Sequence, residues 1–398
     1  MKSNMKKLII FFVLLSFGFV SVAQQYYQDA VNEGMLRHAD YQGRCRKEIV
    51  LPQVVNGYNV YKADLHTHTI YSDGVALPKY RVMEAWLDGL DVLSITDHIE
   101  FRPHEMAFTE YLEKYMSDQY KKAVNTNITR KAADSNGILV DLNQTVKDAV
   151  KVAADYGITV IPGAEITRKT EGDFNVLFTT DNNLIYDPDP VQSVRNAKVQ
   201  GAVVMHNHPG KTRRNLDCSK TERILYDEGL IDGVEVMNGA EFYPEIIDRV
   251  REKNLFIAAN TDIHLSTAVD YRLGGICRPM TLIFAEDNTL PSLKEALCAA
   301  RTLSYGFNTI CGDESLLKDF FVAGVTLKTL TRPDKTVLLL TNNTSVSYVV
   351  QQDGANQVRL EPFSTISIKV GKDEETLRLT ILNMFFSKDA HPVVELSF

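Results

Sequence analysis

Cysteine is scarce in this 398-residue chain: five residues, Cys45, Cys218, Cys277, Cys298 and Cys311, with no Cys-x-x-Cys pair among them. An odd number cannot all pair internally, and a chain of this size does not need a disulfide framework, so at most one disulfide is expected. Positive charge is also in short supply, with 43 Lys and Arg against 51 Asp and Glu and a formal net charge of −8. No general attraction to nucleic acid or anionic membrane follows, and an anionic substrate has to be met by a locally positive site such as bound metal. Long apolar runs are missing except for Leu8 to Val20. That run follows Lys2, Lys6 and Lys7 and ends in the small residues Ser21-Val22-Ala23, the pattern of a secretory signal peptide over residues 1–23 cleaved before Gln24. It is shorter than the ~20 residues that span a bilayer. The processed protein is expected in an extracytoplasmic compartment, periplasmic or secreted, with no transmembrane segment.

What the chain does have is enough apolar sequence for a sizeable core, 44% hydrophobic against 24% charged, and a repeated order of strand and helix. A lead-in with helical character runs through Ala30 to His38. The alternating stretch Tyr58 to Ala63 predicts a strand, and it runs into Asp64-Leu-His66-Thr-His68. Residues two apart in extended chain share a face, so His66 and His68 point the same way, and Asp73 can add a third ligand after the Ser72-Asp73-Gly74 turn. A helix from Pro78 to Gly89 and a strand from Leu90 to Ile95 follow, the latter ending in Asp97-His98. A polar insertion is expected over about residues 101–140. The apolar run Ile158 to Ala164 then delivers Glu165, a carboxylate too costly to bury unless it is paired or bound to metal, and so a candidate to bridge two cations. The next strand, Phe174 to Thr179, is preceded by Asp173 and carries Asn175 on the same face, and further strands, alternating with helices, end in His206-Asn-His208 and in Asp262-Ile-His264. Seven of the nine histidines lie in or just after such strand ends. That is the pattern required of a multinuclear metal site on one rim of an α/β barrel.

Other polar residues near these motifs have open readings. Arg102 either clamps an oxyanion or forms a surface salt bridge, and His104 either supports the ligands or donates a proton. Lys211, Arg213 and Arg214 either meet phosphate or are solvated. His206 reads as a pocket residue or one that supports the ligands.

These motifs resemble, in order, those of the PHP (polymerase and histidinol phosphatase) superfamily: Asp64-Leu-His-Thr-His with Ser72-Asp73-Gly74, Thr96-Asp97-His98, Gly163-Ala164-Glu165, Asn207-His208-Pro209-Gly210 and Asn260-Thr261-Asp262-Ile263-His264. The likeness covers about residues 55 to 310. Phe101-Arg-Pro-His104, Phe174-Asn175, Gly233 to Gly239 and Tyr243-Pro244 look most like the secreted phosphodiesterases that carry a C-terminal β domain. The resemblance implies a distorted seven-stranded (β/α) barrel with two or three divalent ions, manganese, iron or zinc. It places His66, His68, Glu165 and Asp262 on one ion and Asp73, His98 and His264 on another, with Glu165 bridging to a middle ion held by His208. Many relatives have a further histidine on the middle ion; Asp173 is the best-aligned residue here, so that position is expected to differ in metal preference. The implied chemistry is in-line attack on phosphorus by a hydroxide shared between cations. Arg102, Arg168 and Arg213 are the candidate charge clamps, and His104 or His206 the candidate proton donor to the leaving group.

After about residue 312 the text changes to short strands, beginning with Phe320 to Leu327 and continuing through Leu377 to Leu382. They predict a small all-β, sandwich-like domain over residues 313–398, following a catalytic domain over 24–312. The expected function is hydrolysis of a small phosphate ester, most readily a diester. The alternatives are a phosphomonoesterase of the same fold, and a non-catalytic protein that binds metal or carbohydrate.

Overall fold

A computed structural model describes residues 26–38, 45–104, 130–131, 139–272, 275–331, 336–371 and 374–398. The expected signal segment and most of the expected insertion, residues 105–129 and 132–138, lie outside the described residues. The chain divides into two units, residues 1–45 and 46–398. In the first, Tyr26–Gln28 pairs antiparallel with Leu36–His38, a hairpin where helical character was expected. The Asp29 carboxylate accepts from the amides of Val31 and Asn32, and the Asn32 side chain from the amide of Gly34. These local bonds hold a turn at the expense of a helix.

The second unit opens with seven strands: β1 (Tyr58–Asp64), β2 (Val92–Ile95), β3 (Thr159–Thr167), β4 (Asp173–Leu177), β5 (Val203–His206), β6 (Gly233–Asn238) and β7 (Phe256–Asn260). Between them run α1 (Pro78–Leu87), α2 (Gln144–Tyr156), α3 (Pro190–Val199), α4 (Lys220–Asp227) and α5 (Pro244–Glu252). Neighbouring strands pair in sequence order, all parallel except β4, which runs antiparallel to both β3 and β5. The connection from β3 to β4, residues 168–172, is too short for the crossover that a parallel neighbour needs. Alternate residues, among them Ala63, Leu65, Ile161, Met205 and Ala258, form one apolar cluster. The residues between them join the layers that include the helices: Leu93 and Val160 pack with Val82 and Ala149, and Val204 and Ile257 with Val194 and Ile246. The strands are therefore apolar on both faces, as a covered parallel sheet requires.

The sheet curls, and closes only at one end. Past the end of β1 the His68 amide donates to the Ile263 carbonyl (3.1 Å), and the Asp262 amide donates to the His66 carbonyl (2.9 Å). Lower down, β8 (Met280–Ala285) pairs antiparallel with β1 and enters between β1 and β7. There the amides of Ala259 and Ile257 donate to the hydroxyls of Thr281 and Thr302 in place of a strand partner. The direct seam between first and last barrel strands thus lies at the segments bearing His66, His68 and Asp262.

Beyond β8 come α6 (Leu290–Cys298), the hairpin of β9 (Thr302–Gly306) and β10 (Thr309–Gly312), and α7 (Glu314–Gly324). The remainder is all-β: β11 (Val325–Thr331), β12 (Thr336–Asn342), β13 (Tyr348–Gln352), β14 (Val358–Leu360), β15 (Thr365–Val370), β16 (Thr376–Ile381), β17 (Met384–Phe385) and β18 (Val393–Ser397). They form a three-stranded sheet, β11-β12-β15, and a four-stranded sheet, β14-β13-β16-β18. Leu338, Leu340, Tyr348 and Leu379 of these sheets share one core with Phe284, Leu303 and Phe320. The expected strand over Phe320 to Leu327 is instead the end of α7 followed by β11. Leu317, Phe320, Phe321 and Gly324 are all buried on α7, a helical spacing that the apolar run conceals.

Arg278, just ahead of β8, is 3% exposed and spans the carboxylates of Asp64 at the end of β1 and Asp88 at the end of α1. Arg278→Met leaves two buried carboxylates without their shared cation, and stability should fall by about 3–5 kcal/mol. Urea denaturation checks this; an unchanged midpoint would mean that the pairing contributes nothing.

Candidate metal centre

Three polar braces fold the segments after β1, β2 and β7 onto one another. The Asp64 carboxylate accepts from the His66 amide (3.2 Å) and from the Thr261 hydroxyl (2.5 Å). Asp97 accepts from the Thr69 amide and hydroxyl, both at 2.6 Å, and from the Ser72 hydroxyl at 2.7 Å. Arg81 of α1 donates to the carbonyls of His68 (2.7 Å) and His264 (2.9 Å). The turn bearing Asp73 presses so closely on the first motif that a Cβ on Gly74 would stand 2.6 Å from the His68 carbonyl carbon. Asp262 and His208 hold φ of 53° and 25°, a region that non-glycine residues occupy at a cost and chiefly at functional sites.

The outcome is three adjoining groups of donors. His66 Nε2, His68 Nε2 and Asp262 Oδ1 form a triangle with sides of 3.1, 3.2 and 3.1 Å, and the Glu165 oxygens stand 3.7 and 3.6 Å from the two nitrogens. Asp73 Oδ1 lies 3.3 Å from His98 Nε2 and 3.2 Å from His264 Nε2, while Glu165 Oε2 lies 2.6 Å from His98 Nδ1. His208 Nε2 stands 3.8 Å from both Glu165 Oε1 and Asp262 Oδ2. Asp173 completes this third group, its ligand atom within 4.8 Å of those of Glu165 and His208. All nine residues expected to hold metal are therefore together, with Glu165 common to the first and third groups and in contact with His98 of the second.

The donor set fits divalent cations. His66 Nε2, His68 Nε2 and Asp262 Oδ1 converge at 3.1–3.2 Å, so one cation could take the place of the proton that any two of them share, and the buried His68 Nδ1 has no hydrogen-bond partner. Nitrogen and carboxylate donors without thiolate suit zinc, manganese or iron. The charges agree with this. Burial opposes protonation of His66 and His98, yet Asp262, Glu235 and Glu165 around the first and Glu165 and Asp73 around the second hold both well above the ordinary 6.5. His208 and His264 are raised against burial in the same way. His68 goes the other way, to about 4, through burial and the neighbouring His98 charge. Burial would raise Glu165 and Asp262, but the imidazoles outweigh it and hold both well below the usual carboxylate range. Asp173 is raised by burial and by Glu165.

The other expected site residues sit elsewhere. Arg102 is buried, donates to the His98 carbonyl (2.7 Å) and lies beside Asp97, so it is neither a surface salt bridge nor aimed at the cluster. Arg168 is committed to Glu100 (3.0 Å) and the Asp187 carbonyl (2.6 Å). Arg213 is committed to Glu222 (2.8 Å) and the Thr170 carbonyl (3.0 Å). His206 pairs with Glu222 (3.1 Å) and the Tyr226 hydroxyl (2.8 Å) on α4, because strand alternation turns it to the helical layer. His104 is exposed, its Nδ1 on the Gly74 carbonyl (2.9 Å) beside Asp73.

Three residues outside the expected ligands, charge clamps and proton donors belong to the centre. Glu235, fully buried on β6, holds His66 Nδ1 at 2.9 Å and accepts from the His208 amide at 2.8 Å. A lone carboxylate in the apolar run Gly233 to Met237 is the same signal that marked Glu165. Asn207 donates to Glu165 Oε1 at 2.9 Å. Lys211 brings its ammonium to 2.8 Å from Asp262 Oδ2 while its side chain stays 42% exposed.

A family model described as PHP domain matches residues 64–351. Among solved structures, a two-domain protein from Bacteroides vulgatus containing a predicted PHP-like metal-dependent phosphoesterase has 29% sequence identity and a TM-score of 0.77, covering 89% of this chain and 100% of its own. An amidohydrolase from Chromobacterium violaceum has 13% identity and a TM-score of 0.35, covering 51% of this chain and 87% of its own. A lesion-specific endonuclease from Pyrococcus furiosus has 15% identity and a TM-score of 0.35, covering 64% and 59%. No curated protein matches.

Protons held by the raised imidazoles must leave before those nitrogens can bind a cation, so metal affinity should weaken as pH falls through their raised values. Titration of manganese into metal-free protein at pH 7, in buffers of different ionisation enthalpy, should show release of about one proton or more per ion. Uptake without proton release would mean that the imidazoles are already neutral.

Proposed function

Since this chain belongs to the PHP-domain family, we propose that it is a metal-dependent phosphoesterase that hydrolyses small phosphodiesters outside the cytoplasm. The observation that carries this reading is the position of Glu165, 1% exposed, which joins the group of His66 and His68 to that of His208 and Asp173 and reaches His98 of the group beside them. Divalent ions held there would lower the pKa of water into the neutral range and draw charge from the phosphoryl oxygens. His66, His68, Asp262 and Glu165 would hold one ion, and Asp73, His98 and His264 another. His208 and Asp173, with Glu165, would hold a third. Glu235 fixes the tautomer and ring direction of His66, and Asn207 fixes the carboxylate plane of Glu165. His104, anchored on the Gly74 carbonyl next to Asp73, stands on the solvent side, where as a cation it can protonate a leaving alkoxide.

A diester is favoured over a monoester by the shortage of free cations. Arg102, Arg168 and Arg213 are bound to carbonyls and carboxylates, so among the described residues Lys211 is the one side-chain ammonium or guanidinium that reaches the cluster. A diester brings one negative charge and a monoester up to two, and the second would have little besides metal to meet it. The extracytoplasmic setting rests on residues 1–23, and N-terminal sequencing of the exported protein should begin at Gln24.

The test is hydrolysis of bis(p-nitrophenyl) phosphate beside p-nitrophenyl phosphate by manganese-loaded protein, with metal content measured on the same sample. Diester turnover should be faster, and Glu165→Gln should lose both bound metal and turnover. Glu235→Gln leaves the proposed ligands in place but removes the anion behind His66, and should cost about 10–100-fold. Faster monoester turnover would make the protein a phosphomonoesterase; bound metal with neither ester cleaved would leave it a metal-binding protein.

A further inference from the structure

Beside the cluster opens a groove of about 570 Å³. The metal-ligand candidates Asp262 and His264 line it together with Lys211, as do Leu265, Ile276 and Phe307. These three large apolar side chains are 49%, 41% and 44% exposed. Gathered in one hollow that adjoins a polar centre, they mark a binding surface; scattered singly they would need no explanation.

Phe307 adds a second observation. It and Asn308 are the two-residue loop of the β9–β10 hairpin, with φ of 47° and 61°. Such a turn needs positive φ at both positions and favours asparagine and glycine; a bulky aromatic there is strained. The turn carries the ring to the groove, and sparsely populated backbone of this kind persists mainly where it serves a site. Charge narrows the occupant. Glu241 and Asp270 also line the groove, and Lys211 is the only lysine or arginine among its described lining residues and is already paired with Asp262. An arm bearing a second anion would meet like charge on entering.

We propose that this groove seats the organic arm of the ester and selects an uncharged aromatic or alkyl alcohol over an arm that carries further phosphates, such as a polynucleotide. The proposal rests on the phosphoesterase reading only in placing the phosphoryl group on the Glu165 cluster. Asp262 and His264 belong to both the cluster and the groove wall, so an ester on the metal directs one substituent along Phe307 and Ile276.

Phosphonates that cannot be hydrolysed separate binding from turnover. Calorimetry on manganese-loaded protein should find phenylphosphonate bound about tenfold more tightly than methylphosphonate, the contrast expected for one aromatic ring leaving water. Phe307→Ala should remove most of that preference, and Ile276→Ala part of it, with methylphosphonate affinity unchanged in both. 3-Phosphonopropionate should bind more weakly than phenylphosphonate, and Glu241→Gln should recover several-fold of the deficit. Equal affinity for phenyl and methyl ligands, absence of binding by any phosphonate, or the same loss on both ligands in Phe307→Ala would overturn the groove assignment. Phenyl-selective binding without turnover of any ester would instead sink the phosphoesterase reading and leave the groove standing.

Discussion

The structure depends on keeping one carboxylate, Glu165, charged inside the protein. At the end of an apolar strand it is almost fully buried, and burial alone would keep it protonated. Four imidazoles, His66, His68, His98 and His208, stand within 4 Å of its oxygens, and His98, His66 and His208 hold it ionised. Those imidazoles need anions of their own, which Asp262, Asp73 and Glu235 supply. The cluster is thus a closed set of mutual charges in which protons stand where cations would bind, and each member costs free energy to bury without the rest.

Such a set cannot be held by loops alone, and the barrel seam is where it is fixed. The bonds between the His66–His68 segment and the Asp262–Ile263 segment bring first and last strands together at the cluster, while β8 separates the same strands lower down. Asp64, Asp97 and Arg81 lock the loops, each through a backbone group of a ligand or of the residue next to one. The positive φ of His208 and Asp262 is the local cost of turning two ligands inward from strands that are leaving the barrel.

The sequence reading found what depends on residue type at a fixed offset from a strand, and missed what depends on which face a strand or helix turns. His66, His68, His98, His208 and Asp262 follow apolar strands at short spacing, so their convergence was legible, as was the alternation that makes the barrel. Arg168 and Arg213 look like phosphate clamps in one dimension, but Arg168 is taken by Glu100, far off in sequence, and Arg213 by Glu222, a residue turned toward it from α4. His206 carries the same His-x-His signature as His66, yet it faces α4. Glu235 was hidden only because the sign that exposed Glu165, a carboxylate inside an apolar run, was not applied a second time. The Phe320 segment misled for a different reason: two adjacent phenylalanines followed by valine suit a strand by composition, and only their spacing from Leu317 speaks for a helix.

The C-terminal region has a place in this arrangement that its lack of ligand residues obscures. β17 pairs in parallel with β10, Ile310 opposite Met384 and Cys311 opposite Phe385. The Asn383 carbonyl accepts from the Ile310 amide at 3.0 Å, and the Asn383 side chain donates to the Asn308 carbonyl at 2.8 Å. The strained Phe307-Asn308 turn is therefore held from behind by a residue some seventy-five positions away. A two-residue turn with a bulky aromatic at positive φ would relax if left free, and the ring would leave the groove. Among the described residues the β domain adds no donor to the metal cluster; through Asn383 it braces the turn whose Phe307 lines the groove.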